Sequence, residues 1–95
     1  MDIEKTISDY YHIDERMFYS DSRNRLREES EALHFLWFIL HTEKGYSVNR
    51  LAREYDKIPR TVYYGIAKIK IGIATQEYYK KIYSELMEKI KGDSD

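Results

Sequence analysis

The chain holds a single proline, Pro59, and only four glycines in 95 residues. Breakers this sparse leave long stretches free to coil, and apolar residues recur at helical spacing on both sides of the proline. Ile3, Ile7, Tyr10 and Tyr11 share one helical face. Val48, Leu51, Ala52 and Tyr55 share another, as do Val62, Ile66, Ile69 and Ile73, and then Tyr79, Ile82, Leu86 and Ile90. No stretch reads convincingly as a strand. The expectation is an all-α fold in a single domain over residues 1–95, because a chain this short has no room for two cores.

Five helices are predicted. The first runs from Asp2, its cap, to Tyr11. A short turn at residues 14–18 follows, with Ile13 and Met17 facing inward, then a polar loop over residues 19–24. The second helix spans residues 27–42. Its apolar set (Ala32, Leu33, Phe35, Leu36, Phe38, Ile39, Leu40, widened by Trp37) covers more than one face, so it should be central and nearly surrounded. Gly45 stops it. Ser47 caps a third helix that ends near Tyr55. Pro59 opens the fourth, where its missing N–H costs nothing, and Gly72 weakens its end. Thr75 caps the fifth, which runs to about Lys91. Residues 92–95 form a frayed tail.

Several chemistries are excluded or disfavoured. With no cysteine there is no disulfide, thiolate zinc site, iron–sulfur cluster or cysteine nucleophile. The longest apolar run, residues 35–40, falls far short of the roughly 18 residues of a membrane span. The amino terminus is mixed in charge and does not resemble a signal peptide. The expectation is a cytoplasmic protein with no membrane partner. Ser, His and Asp occur without triad spacing, so no enzyme activity is expected. Glu31 and His34 are three apart, with His41 on the same face, but a di-metal site needs a second such pair, and none exists. No metal or other cofactor is expected.

Net charge is −1, an average that hides a gradient. Residues 1–43 are net −5, residues 44–70 net +5 and residues 71–95 net −1. The basic stretch (Lys44, Arg50, Arg53, Lys57, Arg60, Lys68, Lys70) coincides with a short helix, a tight turn and a second helix. That is the sequence shape of a helix-turn-helix, here over residues 47–73. Its second helix, residues 59–73, would enter the major groove with its amino-terminal residues leading. Arg60, Thr61, Tyr63 and Tyr64 lie on that end, with Lys68 a turn later. Arginine can bond guanine bidentately, threonine offers hydroxyl or methyl, and lysine neutralises phosphate. Ser47 and Lys57 are candidate backbone contacts. The tyrosine pairs Tyr63/Tyr64 and Tyr78/Tyr79 can stack on bases or simply pack; the second pair reads as packing.

From these residues onward the chain resembles a family: the carboxy-terminal DNA-binding domain of the bacterial chromosomal replication initiator DnaA. The resemblance covers roughly residues 3–90. Ile7-Ser8-Asp9-Tyr10-Tyr11-His12-Ile13 and Met17 are similar to the family's first helix. Ser22-Arg23-Asn24-Arg25 resembles its basic loop, here within residues 23–27. Tyr46-Ser47-Val48, Leu51-Ala52 and Tyr55 resemble the first helix of its helix-turn-helix. Thr61-Val62 and Lys68-Ile69 resemble its recognition helix. The resemblance implies a five-helix, Trp-repressor-like bundle. It also implies double-stranded DNA as partner, with Arg23 and Arg25 on the backbone or in the minor groove.

The chain departs from the family at the turn. A Gly-Gly-Arg-Asp-His-Thr-Thr-type run is replaced by Asp56-Lys57-Ile58-Pro59-Arg60-Thr61, without the base-reading Asp-His pair. Glu28, Glu29, Ser30 and Glu31 stand where the family has a proline flanked by basic residues. A DNA site different from the initiator's is therefore expected. No phosphate-binding Gly-x-x-x-x-Gly-Lys pattern occurs, so no nucleotide is expected to bind. The alternative reading is a protein-interaction module that keeps the fold and has lost the groove contacts. The placement of Glu28, Glu29 and Glu31 discriminates: beside the recognition helix they favour the alternative, and facing away they favour DNA.

Overall fold

The computed structural model describes residues 2–19 and 26–92. Among them there are five α-helices, one 3-10 turn and no strand: α1 (Ile3–Tyr11), the 3-10 turn (Glu15–Tyr19), α2 (Arg27–Lys44), α3 (Val48–Glu54), α4 (Pro59–Thr75) and α5 (Glu77–Gly92).

Local chemistry sets most of the helix ends. Asp2 accepts a hydrogen bond from the Lys5 amide at 3.1 Å, and Ser47 accepts one from the Arg50 amide at 3.0 Å, each satisfying a first-turn donor. The Glu29 carboxylate reaches back to the Leu26 amide and does the same for α2. Gly45 ends α2 at φ 72°, a left-handed conformation that costs glycine little. Pro59 is the first residue of α4.

α2 is the axis of the domain. Glu31, Ala32 and Leu33 and the whole run Phe35–Leu40 are buried, and Trp37 is 1% exposed. α1 and α4 pack on it, and α5 sends Tyr79 and Tyr83 against Phe35 and Phe38. α3 packs on α4.

Four expectations need correction. Thr75 does not cap α5. It is the last residue of α4, its hydroxyl donates to the Ile71 carbonyl, and the carbonyl of Gln76 takes the first bond of α5. Gly72 is more than a weak point near the end of α4: it is buried, and the Tyr79 ring lies on it where a β-carbon would stand 2.7 Å away. In the 3-10 turn the fully buried residue is Phe18 and not Met17, which is half-buried, because a 3-10 turn brings round a different residue from an α-turn, whereas Ile13, ahead of the turn, packs against the core. Tyr19 belongs to that turn and not to the loop. Residues 20–24 of the expected loop, Arg25 and residues 93–95 lie outside the described residues.

Three carboxylates join distant helices through tyrosine hydroxyls. Glu4 accepts from Tyr19 and Tyr55, Glu85 from Tyr10, and Glu31 from Tyr11 at 2.7 Å and Tyr78 at 2.9 Å. Burial, and then the facing carboxylate, holds the Tyr10 and Tyr19 phenols up at about 12. The same causes push Tyr11, Tyr55 and Tyr78 upward.

Candidate nucleic-acid interface

α3 and α4 are joined by a turn whose hydrogen bonds run backwards over the end of α3. The Lys57 amide donates to the Ala52 carbonyl at 2.8 Å and the Asp56 amide to Arg53 at 3.4 Å. This is a Schellman closure, and it requires a left-handed residue at Asp56, which stands at φ 54°. The chain then extends at Ile58 (φ −80°, ψ 148°) and enters α4 at Pro59. The Ile58 carbonyl accepts from the amides of Thr61 and Val62. The turn is short and closed by these bonds, so the first turn of α4 has a defined direction relative to α3.

α4 buries Val62, Gly65, Ile66, Ile69 and Gly72. The opposite face is left uncovered: Arg60, Thr61, Tyr63, Tyr64, Lys68, Lys70 and Ile71 are exposed. Arg60, Tyr64 and Lys68 follow each other at i, i+4 and i+8 and form one row. The Tyr63 and Tyr64 rings are about 60% exposed and meet edge to face at 5.8 Å.

The basic stretch is divided. Lys44 lines an acidic cavity with Asp2, Glu4 and Glu54. Arg50 lies over the Tyr46 ring at 3.7 Å and pairs with Glu54 at 3.3 Å. Arg53, Lys57, Arg60, Lys68 and Lys70 are the cations of the α3 carboxy-terminal end, the turn and α4. A cleft of about 510 Å³ between the two helices is lined by Asn49, Ala52, Arg53, Asp56, Lys57 and Pro59.

Of the residues singled out from the sequence, Ser47, Lys57, Arg60, Thr61, Tyr63, Tyr64 and Lys68 are described, and all lie on α3, the turn or α4. Ser47 is exposed, with its hydroxyl bonded to the Arg50 amide. Lys57 is half-buried. Arg23 and Arg25 lie outside the described residues. Sequence reasoning missed Asn49, Arg53 and Ile58. Asn49 and Arg53 are four apart on α3 and therefore share a face, a signal that was available. Ile58 is an isoleucine at a helix cap position, 63% exposed, where an apolar residue gains nothing from capping.

The acidic residues after the loop are at the far end. Glu28 and Glu31 line a small cavity with Arg27, Gln76 and Tyr78, at the junction of α4 and α5. Arg60 and Gln76, the cap of α4, are sixteen positions apart, about 24 Å of helix. Glu29 is engaged at the α2 cap, and Glu31 is 6% exposed and bonded to two tyrosines. His41 Nδ1 lies 2.7 Å from the Tyr46 carbonyl oxygen, and the His34 ring packs beside Trp37. Among the described residues no group of three or more His, Asp or Glu side chains is arranged to hold a metal ion, and no helix is long and apolar enough to cross a membrane.

No family model matches the chain, and no curated protein is significantly similar to it.

Proposed function

We propose that the chain is a double-stranded DNA-binding domain, without catalytic activity, in which α3 and α4 act as a helix-turn-helix within a Trp-repressor-like bundle. The reading extends to a role like that of the replication initiator's carboxy-terminal domain, in the cytoplasm. The observation that carries it is the uncovered first half of α4, where Arg60, Thr61, Tyr63 and Tyr64 are all exposed with Arg53 and Lys57 beside them.

Each residue type has a task there. Arg60 and Thr61 reach base edges from the first turn, Arg60 as a bidentate donor to guanine. Ser47, Lys57 and Lys68 contact the backbone, and Arg23 and Arg25 do so from the loop. Pro59 sets the start of the helix. The distance of Glu28 and Glu31 from this end supports the reading, since anions beside Arg60 would repel phosphate.

A protein-interaction module is the second reading, and the exposed Ile58, Tyr63, Tyr64 and Ile71 side chains favour it. Selection of bound duplexes from a random pool separates the two. DNA binding predicts an enriched site whose affinity falls steeply with salt. No retained duplex at low salt would leave the protein-interaction module in its place.

A further inference from the structure

We infer that the α4 surface reads the 5-methyl groups of thymine through Ile58 and Tyr64, so that its duplex targets are thymine-rich around a guanine bonded by Arg60. This rests on the DNA-binding reading above and adds the base class that the surface selects.

The inference starts from side chains that are out of place for a purely ionic surface. Ile58, Tyr63 and Tyr64 are each 60% exposed or more, within seven residues of chain at the amino-terminal end of α4. Exposure of this much apolar surface on a small domain calls for a partner. The neighbourhood decides which. Arg60 lies between them in sequence, Lys57 precedes Ile58, and Lys68 follows Tyr64 in the same row. A protein-binding patch is depleted of charge at its centre, whereas here cations alternate with the apolar groups. The complementary surface has apolar spots a few ångströms across set among anionic ridges. The major groove of DNA is such a surface, and thymine's 5-methyl is the apolar group on its floor.

The spacing also fits. Tyr64 is four residues beyond Arg60, about 6 Å along the helix, and stacked base pairs are about 3.4 Å apart. A thymine reached by Tyr64 therefore lies about two base pairs from the guanine reached by Arg60. Ile58 precedes the helix and reaches the other side of that guanine. The tyrosine hydroxyls need no base partner, because both rings stand in solvent where water satisfies them.

Alternating poly(dA–dT) and poly(dA–dU) duplexes, each interrupted by single guanine–cytosine pairs, test this directly, since they differ only in the 5-methyl group. Binding is measured at low salt for the natural chain, an Ile58→Ser/Tyr64→Gln double variant and Tyr64→Phe. Both changed positions are exposed, and thermal melting verifies that the variants are folded. The natural chain should bind poly(dA–dT) about fourfold more tightly for each methyl buried. The ratio should fall to about one in the double variant and persist in Tyr64→Phe, which keeps the ring. Equal binding of the two polymers by the natural chain would overturn the inference and leave DNA binding intact. So would a ratio that survives the double variant, because the preference would then lie in duplex mechanics. A ratio lost in Tyr64→Phe would assign the preference to the hydroxyl and also overturn it. No binding to either polymer would remove the DNA reading itself.

Discussion

Gly65 of α4 lies against the indole of Trp37 of α2, so closely that a β-carbon at position 65 would stand 2.8 Å from Cε3. The same β-carbon would stand 2.8 Å from Cδ2 of His34. The His34 ring is half-exposed, but the Trp37 ring is enclosed by the core. Alanine would gain about 1 kcal/mol of helix propensity at this site. Forcing a methyl into a packed interior costs about 1–3 kcal/mol. The clash is against a buried ring that cannot swing aside, so Gly65→Ala should be net destabilising, by up to about 2 kcal/mol. Urea unfolding measures it, and a variant more stable than the natural chain would contradict the packing described.

Trp37 itself should be a large contributor. Trp37→Ala should cost about 3–5 kcal/mol. Its Nε1 is buried and has no hydrogen-bond partner among the described residues. Replacing the indole by phenylalanine therefore removes no hydrogen bond and relieves a desolvated donor. Trp37→Phe should be much milder than Trp37→Ala, and comparing the two denaturation midpoints checks the assignment.

Alkaline pH should unfold the domain earlier than a bundle without buried phenols. The Tyr10 and Tyr19 phenols titrate at about 12 in the folded chain against an ordinary value of 10.0, and Tyr11, Tyr55 and Tyr78 are raised too. A raised phenol means that the folded chain holds its proton more tightly than the unfolded one. The stabilisation is complete below pH 10 and is lost as pH rises through about 12. Phenolate absorbance and circular dichroism should change together in that window. Tyr55→Phe, which removes one of the phenols facing Glu4, should make the alkaline fall less steep.

The turn between α3 and α4 depends on Asp56 at positive φ. Aspartate tolerates this region better than alanine, and glycine better still. Asp56→Ala should lower stability by about 1 kcal/mol, and Asp56→Gly should be neutral or slightly stabilising. The order of the three melting temperatures is the test.

For DNA, Arg60→Ala should cost about 1–3 kcal/mol and relax preference at one base pair. Lys68→Ala should weaken all sequences alike and reduce the slope of log affinity against log salt by about one unit. With about four to six phosphates neutralised, the natural chain's slope should be about −4 to −5. Affinities at three salt concentrations decide it. A flat dependence would mean that the cations of α4 are only a solvated surface.

Helix identity was legible in the residues because it follows from spacing along one chain. The stripes Val62-Ile66-Ile69 and Tyr79-Ile82-Leu86-Ile90 are buried as their periodicity requires, and Asp2, Ser47, Gly45 and Pro59 act at the helix ends they mark. These are interactions within a turn or two, so the sequence order contains both partners. The candidate interface was half legible. Arg60, Thr61, Tyr63 and Tyr64 follow from their place after Pro59, but that Arg53 lines a cleft with Lys57 and Pro59 emerges only when α3 and α4 are seen side by side.

What tertiary structure alone decided is the fate of individual polar and small residues. Glu31 reads from sequence as one of the acidic residues that follow the basic loop. It is instead a buried acceptor for Tyr11 and Tyr78, which lie 20 and 47 positions away. Gly72 reads as a weak helix end and is instead the seat of the Tyr79 ring. The net +5 of residues 44–70 reads as one surface, yet Lys44 faces an acidic cavity shared with Asp2, Glu4 and Glu54. In each case the deciding partner comes from another helix, or from the geometry with which one helix meets the next. Periodicity determines which face of a helix is buried. The residue that meets that face is set by how five helices fill one volume.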